Sequence, residues 1–214
     1  MRGATSVTAA LDTLAAGARE ILGRALESHE LESFARYLRL LQKWQRVHRL
    51  VGSIEPGWVV ENLFLDSLLF LRVLPAAASS AADIGSGAGF PSIPIRIVRP
   101  DLQVTLIESR RRRASFLSEV VRDLGLTGVR VLGGRAESLV DEVAGSFDVV
   151  VMRCAGGPEA LLPIASRLVV PGGRIVLSGP PSPGVLPGVE WVEVPGVRSD
   201  RARRFGVCLV PAKV

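Results

Sequence analysis

The residues Ala82-Asp83-Ile84-Gly85-Ser86-Gly87-Ala88-Gly89-Phe90-Pro91 decide the fold of this chain. Residues 81–84 form a short apolar run before the glycines, and residues 91–98 have a helical pattern after them. We therefore predict a strand, a tight turn and a helix in this order. Glycine lets the chain turn sharply and lets a ligand approach the backbone closely. The turn is a candidate ligand site, with its glycines at Gly85, Gly87 and Gly89.

Short apolar runs and helical stretches alternate from residue 76 onward. This alternation predicts βαβ units and a parallel sheet, so the fold class is α/β. The apolar runs lie at 81–84, 104–107, 129–132, 147–152 and 174–178, and the helical stretches at 91–98, 111–124, 135–143 and 157–169. The run at 147–152 is nearly continuous, which is typical of a strand buried on both faces. Pro171-Gly172-Gly173 predicts a turn before the last run.

The two ends of the chain differ from this pattern. Residues 191–194 and 207–210 predict an antiparallel pair of strands on the sheet edge, joined by a polar loop. The first third has no strand pattern: apolar residues recur every three or four positions over 30–50, and again from Pro56 to about Leu74. We therefore predict an N-terminal helical cap over 1–75 and an α/β domain over 76–214.

The composition narrows the class of protein. The 214 residues are 48% hydrophobic, so the chain can bury a real core. No apolar run is long enough to span a bilayer, and the N-terminus lacks a secretory pattern, so a cytoplasmic protein is expected. Cys154 and Cys208 lie far apart, and we expect two buried free thiols rather than a metal site or disulfide framework. The net charge of +5 favours an anionic partner, although codon bias alone explains the excess of arginine over lysine.

Residues on both sides of the glycines indicate which ligand the turn holds. Asp83 stands two residues before the first glycine, where the dinucleotide fingerprint usually has another glycine. The spacing is G-x-G-x-G rather than G-x-G-x-x-G. Glu108 ends the second strand, where a carboxylate can accept both hydroxyls of a ribose. A ribose without a pyrophosphate is typical of S-adenosylmethionine (SAM). The alternative is a structural turn without a nucleotide.

Two further strand ends carry candidate residues. Ala136 and Glu137 follow the third strand, where a backbone amide and a carboxylate can meet an adenine edge; alternatively, Glu137 only stabilises a helix N-terminus. Arg153 follows the strand at 147–152 and is our candidate catalytic residue, placed to contact the SAM carboxylate, a phosphate or a flipped base. Alternatively, Arg153 has no catalytic role and forms an ion pair with Asp148 or Glu159.

These residues, in this order, resemble the bacterial 16S rRNA guanine-N7 methyltransferases, the RsmG or GidB family. The resemblance runs from about residue 36 to residue 179. It rests on Lys43-Trp44, Leu65-Asp66-Ser67, Asp83 to Pro91, Ile93-Pro94, Glu108-Ser109, Phe116-Leu117, Arg135 with Glu137, Phe147-Asp148 and Met152-Arg153. The combination is specific, whereas no single part of it is.

The resemblance implies a class I SAM-dependent methyltransferase fold, which is Rossmann-like, with an N-terminal helical cap. It implies that Gly85 and Phe90 contact SAM, that Glu108 binds the ribose, that Ala136 and Glu137 lie at the adenine, and that Arg153 lies at the methyl-transfer site. The expected reaction methylates guanine N7 in 16S rRNA or the 30S subunit and leaves S-adenosyl-L-homocysteine. A monomer is expected, without a membrane or metal partner.

The substrate side of the resemblance is less complete. Asn62 and Leu63 stand where the family often has a basic pair, and Ser92, Ser178 and Cys154 stand where glycine, lysine and alanine are common. Two alternatives therefore stay open. One is a SAM-dependent methyltransferase acting on another RNA or a small molecule, and the other is a non-catalytic SAM- or RNA-binding protein.

Two groups of arginines are candidates for RNA contact. Arg110 to Arg113 open a predicted helix, where cations oppose the helix dipole. Arg198, Arg201, Arg203 and Arg204 fall in the predicted hairpin loop. Such groups supply salt-sensitive affinity for nucleic acid, although charge runs are often only solvated faces. Both histidines, His29 and His48, lie in the predicted cap, and neither is a convincing general base.

Overall fold

The computed structural model describes residues 6–153, 157–197 and 202–212. Its centre is a seven-stranded sheet with the order β3-β2-β1-β4-β5-β7-β6. Neighbouring strands among β1 to β5 pair in parallel, and β7 runs antiparallel to both β5 and β6. The strands are β1 (Ser80–Ile84), β2 (Gln103–Glu108), β3 (Val129–Gly133), β4 (Phe147–Met152), β5 (Val169–Ser178), β6 (Glu190–Val194) and β7 (Arg203–Leu209). The predicted α/β sheet with a C-terminal antiparallel pair is confirmed.

Helices flank this sheet on both faces. The N-terminal helices are α1 (Val7–Leu22), α2 (Ser28–Gln45), α3 (Pro56–Val59) and α4 (Asp66–Leu68). A π-helical turn, Val60–Leu65, joins α3 to α4, and a 3₁₀ turn, Leu69–Arg72, follows α4. The later helices are α5 (Ser92–Val98), α6 (Arg111–Asp123), α7 (Ala136–Leu139) and α8 (Pro158–Leu168). Among the described residues, no helix is both long and apolar enough to cross a membrane.

Two apolar cores lie on opposite faces of the sheet. Side chains alternate across β4, so Val149 and Val151 join one core while Val150 and Met152 join the other. The first core also contains the buried residues of the N-terminal helices and of α5 and α6, and the second contains those of α7 and α8. β4 is thus buried on both faces, as its apolar run predicts. The domain boundary at residue 75 stays a prediction, because the N-terminal helices share a core with the sheet.

Several local predictions were wrong. Pro171, Gly172 and Gly173 form a bulge within β5 rather than a turn before it, because the pairing with β4 shifts between Phe147 and Val149. Gly172 has a φ of 82°, which glycine adopts without strain. The helix predicted over 30–50 ends at Gln45, and the one over 135–143 is only Ala136–Leu139.

Two predictions near the C-terminus also need correction. Arg203 and Arg204 belong to strand β7 rather than to a loop, while Arg198 and Arg201 lie outside the described residues. Cys208 is a free thiol as predicted, but it is only partly buried. Cys154 lies outside the described residues.

Candidate active site

The carboxyl ends of the parallel strands bring the predicted site residues to one edge of the sheet. Two clefts open there. One, of about 540 Å³, is lined by the loop Gly85–Ala88, Phe90, Arg153 and the segment from Ser178 to Pro181. The other, of about 260 Å³, is lined by Glu108, Ala136 and Glu137. Gly85 and Arg113 contribute to both clefts, so the two form one continuous candidate site. We call them the glycine-loop cleft and the Glu108 cleft.

Positive backbone dihedrals define the glycine loop. Gly85, Gly87 and Gly89 have φ values of 72°, 59° and 94°. The loop is held to β2, since the N–H groups of Gly85 and Ser86 donate to the carbonyl of Ile107 at 2.9 and 3.1 Å. A Cβ on Gly89 would lie 2.7 Å from both Ile93 and the Tyr37 hydroxyl. Gly89 therefore shapes the loop from behind, outside the lining of the two clefts.

The N-terminal helices reach the glycine loop through Tyr37. Tyr37 lies in α2 and is completely buried. Its hydroxyl donates to the carbonyl of Ala88, and its ring lies 5.4 Å from that of Phe90. The sequence did not predict this hydrogen bond, which makes α2 part of the support of the site.

Glu108 connects the glycine loop to helix α6. Its carboxylate is buried; Oε2 accepts from the N–H of Gly87 at 2.8 Å, and Oε1 accepts from the N–H of Arg110 at 2.7 Å. Each oxygen of a carboxylate has two acceptor positions, so one remains on each for a further donor. This geometry is compatible with the predicted contact to ribose hydroxyls, which stays a prediction.

Asp83 lies beneath the glycine loop and is fully buried. Neither of its carboxylate oxygens has a well-formed hydrogen bond within the described part of the chain. Burial raises the pKa of Asp83 from the usual 3.8 to about 7; the neighbouring charge of Glu108 adds to the rise, and the Ser92 hydroxyl and N–H and the Arg153 guanidinium oppose it. Asp83 lines neither cleft, so it faces a ligand only from beneath the loop, where its buried carboxylate short of donors favours a cation. SAM carries an ammonium and a sulfonium, so these residues fit SAM.

We expect the buried Asp83 to make stability depend on pH in the cofactor-free protein. An acid whose pKa rises on folding contributes stability that is complete below its unfolded pKa and is lost as the pH rises through the folded value. With a folded pKa of about 7 for Asp83, the free energy of unfolding should fall by roughly 3 kcal/mol between pH 5 and pH 8.

Urea unfolding of Asp83→Asn measures this contribution, because the amide does not titrate. The variant should lose most of that pH dependence. Asp101→Asn is the control, because Arg99 lowers the pKa of Asp101 and keeps its titration below pH 5. Equal pH dependence of the wild type and Asp83→Asn would contradict the assignment.

Arg153 is held by the N-terminal helices. Its Nη2 lies 2.9 Å from Oδ2 of Asp66 and donates to the carbonyl of Asn62 at 2.6 Å. Its guanidinium carbon lies 5.9 Å from the centre of the Phe90 ring, and Nη1 is buried without a described partner. Arg203 approaches the same carboxylate, with Nε 2.6 Å from Oδ1 of Asp66. We call these three charged residues the Asp66 triad.

The predicted alternative for Arg153 was an ion pair with Asp148 or Glu159, and neither residue is its partner. Asp148 lies at the opposite edge of the sheet, where it accepts hydrogen bonds from Ser79 and Ser80, and Glu159 is exposed in the first turn of α8. The ion pair is instead with Asp66, whose pKa is raised by burial and lowered in part by Arg153 and Arg203. The sequence alone assigned Asp66 no role, although Leu65-Asp66-Ser67 is one of the motifs that carry the family resemblance.

Of the remaining candidates, Ala136 and Glu137 line the Glu108 cleft, whereas Arg204, His29 and His48 line neither cleft. Ala136 is buried in the wall of the Glu108 cleft, while Glu137 is exposed in the first turn of α7, where its charge favours the helix N-terminus. Arg204 pairs with Glu193 at 2.9 Å. His29 is exposed on α2, and the His48 ring lies 5.5 Å from the Trp44 ring, tilted by 46° to it.

A third cavity lies beside the glycine-loop cleft. It measures about 430 Å³ and is lined by residues 47–50 and by Arg110 to Arg113. Arg113 and Leu50 also line the glycine-loop cleft, so the two spaces adjoin. Within the described ranges, no group of three or more histidine, cysteine, aspartate or glutamate residues is placed to hold a metal ion.

The strand order, the glycine loop after β1 and the carboxylate at the end of β2 define a class I SAM-dependent methyltransferase. The structure is similar to that of the O-methyltransferase TomG from Streptomyces achromogenes in complex with SAM, with a TM-score of 0.56 and 20% identity over 85% of this chain and 90% of that chain. That likeness concerns the fold alone.

Sequence comparisons identify the family. The GidB family model, described as rRNA small subunit methyltransferase G, matches residues 30–179. Ribosomal RNA small subunit methyltransferase G of Sorangium cellulosum (strain So ce56) is 37% identical, over 80% of this chain and 73% of that protein. The protein of that name from Ralstonia nicotianae (strain ATCC BAA-1114 / GMI1000) is 35% identical, over 96% and 94%. The chain belongs to this rRNA methyltransferase family, as the resemblance predicted.

Proposed function

We propose that this protein transfers the methyl group of SAM to N7 of a guanine in 16S rRNA of the small ribosomal subunit. The observation that carries the proposal is the family match over residues 30–179, which includes the glycine loop, Glu108, the Asp66–Arg153 pair and the wall of the glycine-loop cleft as far as Gly179. The substrate of the relatives is a ribosomal RNA, as their names state.

The chemistry of guanine N7 agrees with the lining of the glycine-loop cleft. SAM supplies a methyl group on a sulfonium, which the N7 lone pair accepts while the electrons of the broken carbon–sulfur bond stay on sulfur. N7 has no proton to lose, so the protein has to align and enclose the reactants rather than remove a proton. The described lining consists of glycine, proline, serine, apolar and arginine residues, which suits positioning.

The charge around the site supports an RNA substrate. Arg113, Arg153 and Arg203 line the glycine-loop cleft. Arg49 and Arg110 to Arg112 surround the adjoining cavity, which has no acidic residue in its described lining. Cationic side chains bind phosphates and release counterions, which gives affinity that falls with salt. An anionic polymer that enters the cleft can therefore be held on both sides of the reacting base.

The departures from the family pattern lie at this same site. Leu63 and Ser178 line the glycine-loop cleft, the carbonyl of Asn62 binds Arg153, and Ser92 lies beside Asp83. They leave the cleft less basic than the family pattern, and this is the reason for testing other acceptors directly. We further propose that the protein acts as a monomer in the cytoplasm and requires no metal ion; light scattering and an assay with EDTA test the oligomeric state and the metal requirement.

Methylation of purified subunits tests the proposal. The protein is incubated with labelled SAM and 30S subunits that lack the modification, and the digested RNA is analysed for 7-methylguanosine by mass spectrometry. We expect stoichiometric label in 7-methylguanosine of 16S rRNA. Label only in other nucleosides, or only in free small molecules, would contradict the proposed acceptor. Calorimetric titration with SAM addresses the non-catalytic alternative. The absence of SAM binding would reject both methyltransferase hypotheses, the one with an rRNA acceptor and the one with another acceptor.

A further inference from the structure

The Asp66 triad joins three distant parts of the chain. Asp66 begins α4, Arg153 follows β4, and Arg203 begins β7. The Asp66 side chain is only 9% exposed, while the side chains of Arg153 and Arg203 are 21% and 33% exposed. One carboxylate therefore meets two guanidinium groups. Both arginines line the glycine-loop cleft, and all three residues line a neighbouring cavity of about 520 Å³.

We propose that Asp66 is a positioning residue that aims Arg153 into the glycine-loop cleft, with Arg203 fixing the orientation of the Asp66 carboxylate. This inference rests on the proposed function, because it assigns Asp66 a task in methyl transfer. The inference also gives the N-terminal helices a role in the reaction. They hold Arg153 in place in addition to covering one face of the sheet.

The contacts of Arg153 show how this positioning works. An arginine side chain is long and has many rotamers, so an arginine at the end of a strand is poorly directed by the backbone alone. Here the Nη2 edge is held by Oδ2 of Asp66 and by the carbonyl of Asn62, and the guanidinium lies near the Phe90 ring. These contacts fix the guanidinium plane, and Nη1 is buried without a hydrogen-bond partner among the described residues.

Arg203 completes the arrangement from the opposite side. Its Nε lies 2.6 Å from Oδ1 of Asp66 and its Nη2 donates to Oδ2 at 3.4 Å, so Arg203 spans both carboxylate oxygens while Arg153 approaches Oδ2. A carboxylate approached by one guanidinium at both of its oxygens cannot rotate freely, and Oδ2 therefore stays directed at Arg153. The Asp66 triad carries a net charge of +1, which keeps the wall of the cleft cationic.

Stability alone does not explain a buried charge of this kind. Removing a carboxylate and its partner from water has a large desolvation cost, and apolar replacements of buried ion pairs are often equally or more stable. Glu30 offers a matched comparison, since it is also buried and binds Arg24 through two hydrogen bonds of 2.8 and 2.6 Å. Glu30 and Arg24 line neither of the two clefts at the candidate site.

Asp66→Asn and Glu30→Gln separate positioning from stability. Both variants keep the side-chain size and remove one buried negative charge, so both should lower the melting temperature. On 30S subunits, Asp66→Asn should lower kcat by about 10- to 100-fold, because misplacing a positioning group typically costs this much. Its Kd for SAM, measured calorimetrically, should stay within about threefold of the wild type, while Glu30→Gln should keep the wild-type kcat.

A double-mutant cycle identifies the residue through which Asp66 acts. If Asp66 only aims Arg153, Asp66→Asn should cause no further loss of rate in a protein that already carries Arg153→Ala. Full additivity of the two losses would overturn the inference, and so would a wild-type kcat for Asp66→Asn. A wild-type protein that methylates no 30S subunits would instead contradict the proposed function, so the two failures are distinguishable.

A second variant covers the case in which Asp66→Asn does not fold. Arg203→Lys keeps a positive charge near Asp66 but loses the rigid guanidinium fork. We expect a fall in kcat of about 3- to 10-fold that disappears in the Arg153→Ala background. An unchanged kcat for Arg203→Lys, or a loss that persists without Arg153, would overturn the role given to the Asp66 triad.

Discussion

Arg153→Ala is expected to lower the rate of methyl transfer to 30S subunits by about 100-fold or more. Arg153 lies at the end of β4 and lines the glycine-loop cleft. Its removal deletes the guanidinium that the Asp66 triad presents and leaves the Phe90 ring uncovered. A displacement of about 1 Å at a positioning group already costs about 100-fold in rate, so complete loss of the side chain should cost at least as much.

The measurement is single-turnover transfer from labelled SAM at saturating enzyme, so that weaker RNA binding is separated from slower chemistry. Arg167→Ala is the control, because Arg167 is also paired with an aspartate, Asp141, but lies exposed on α8. That variant should keep the wild-type rate. If Arg153→Ala retained full transfer while folded, Arg153 would not be the catalytic residue, and the Asp66 triad would have a structural role only.

A loss of stability in Arg153→Ala has to be considered in the same experiment. The substitution leaves the Asp66 carboxylate with Arg203 as its remaining arginine, and breaking a buried ion pair typically costs about 3–5 kcal/mol. Rates should therefore be compared well below the melting temperature of the variant. A folded variant with intact SAM binding and slow transfer would assign the defect to the reaction.

Local patterns in the sequence predicted most of the fold. Strand β4 is apolar throughout because both of its faces are buried, and that signal needs no knowledge of its neighbours. The glycine loop is also a local signal, because Gly85, Gly87 and Gly89 have positive φ values, which glycine adopts without strain. By contrast, Pro171-Gly172-Gly173 has the composition of a turn, and only the shifted pairing with β4 makes it a bulge. That pairing is set by a strand more than twenty residues earlier in the chain.

The candidate site shows the same division between local and distant information. Asp83, Glu108 and Arg153 were predicted because each stands at a strand end, where ligands bind in open α/β sheets. The partners of Arg153 were not predicted, because Asp66 and Asn62 lie in the N-terminal helical region. Asn62, for example, precedes Arg153 by 91 residues. The charge of each residue can be read from the sequence, but which charged residues contact each other depends on the tertiary fold. The Tyr37 contact to the glycine loop was missed for the same reason.

Gly87→Ala should weaken SAM binding by about 100-fold, even though the loop has room for the added methyl group. The φ of Gly87 is 59°, and the nearest atoms to a Cβ there are the Gly85 carbonyl oxygen at 3.7 Å and an Arg113 nitrogen at 3.9 Å. No atom of the described residues therefore clashes with the added methyl group. The methyl group would instead stand at the wall of the glycine-loop cleft, where a ligand has to approach the backbone.

The same substitution also strains the backbone, and Gly125→Ala measures that effect alone. Gly125 follows the C-terminal end of α6 with a φ of 62°, and a Cβ there meets no atom of the described chain within 4 Å. Placing alanine in this left-handed region costs about 1–2 kcal/mol at either position, so the two variants should lose similar stability in urea unfolding. Gly125→Ala should nevertheless bind SAM as the wild type does, because Gly125 lines neither cleft at the candidate site.

Calorimetric titration of both variants with SAM separates the two effects. A large loss of affinity in Gly87→Ala alone would mean that close approach to the loop backbone is what the glycine provides. Equal losses in both variants would attribute the effect to stability, and normal affinity in Gly87→Ala would place the cofactor away from this loop. The Gly87 N–H also donates to Glu108, so a strained loop should disturb the carboxylate at the end of β2 as well. We therefore expect Gly87→Ala to weaken the contacts of SAM with both the glycine-loop cleft and the Glu108 cleft.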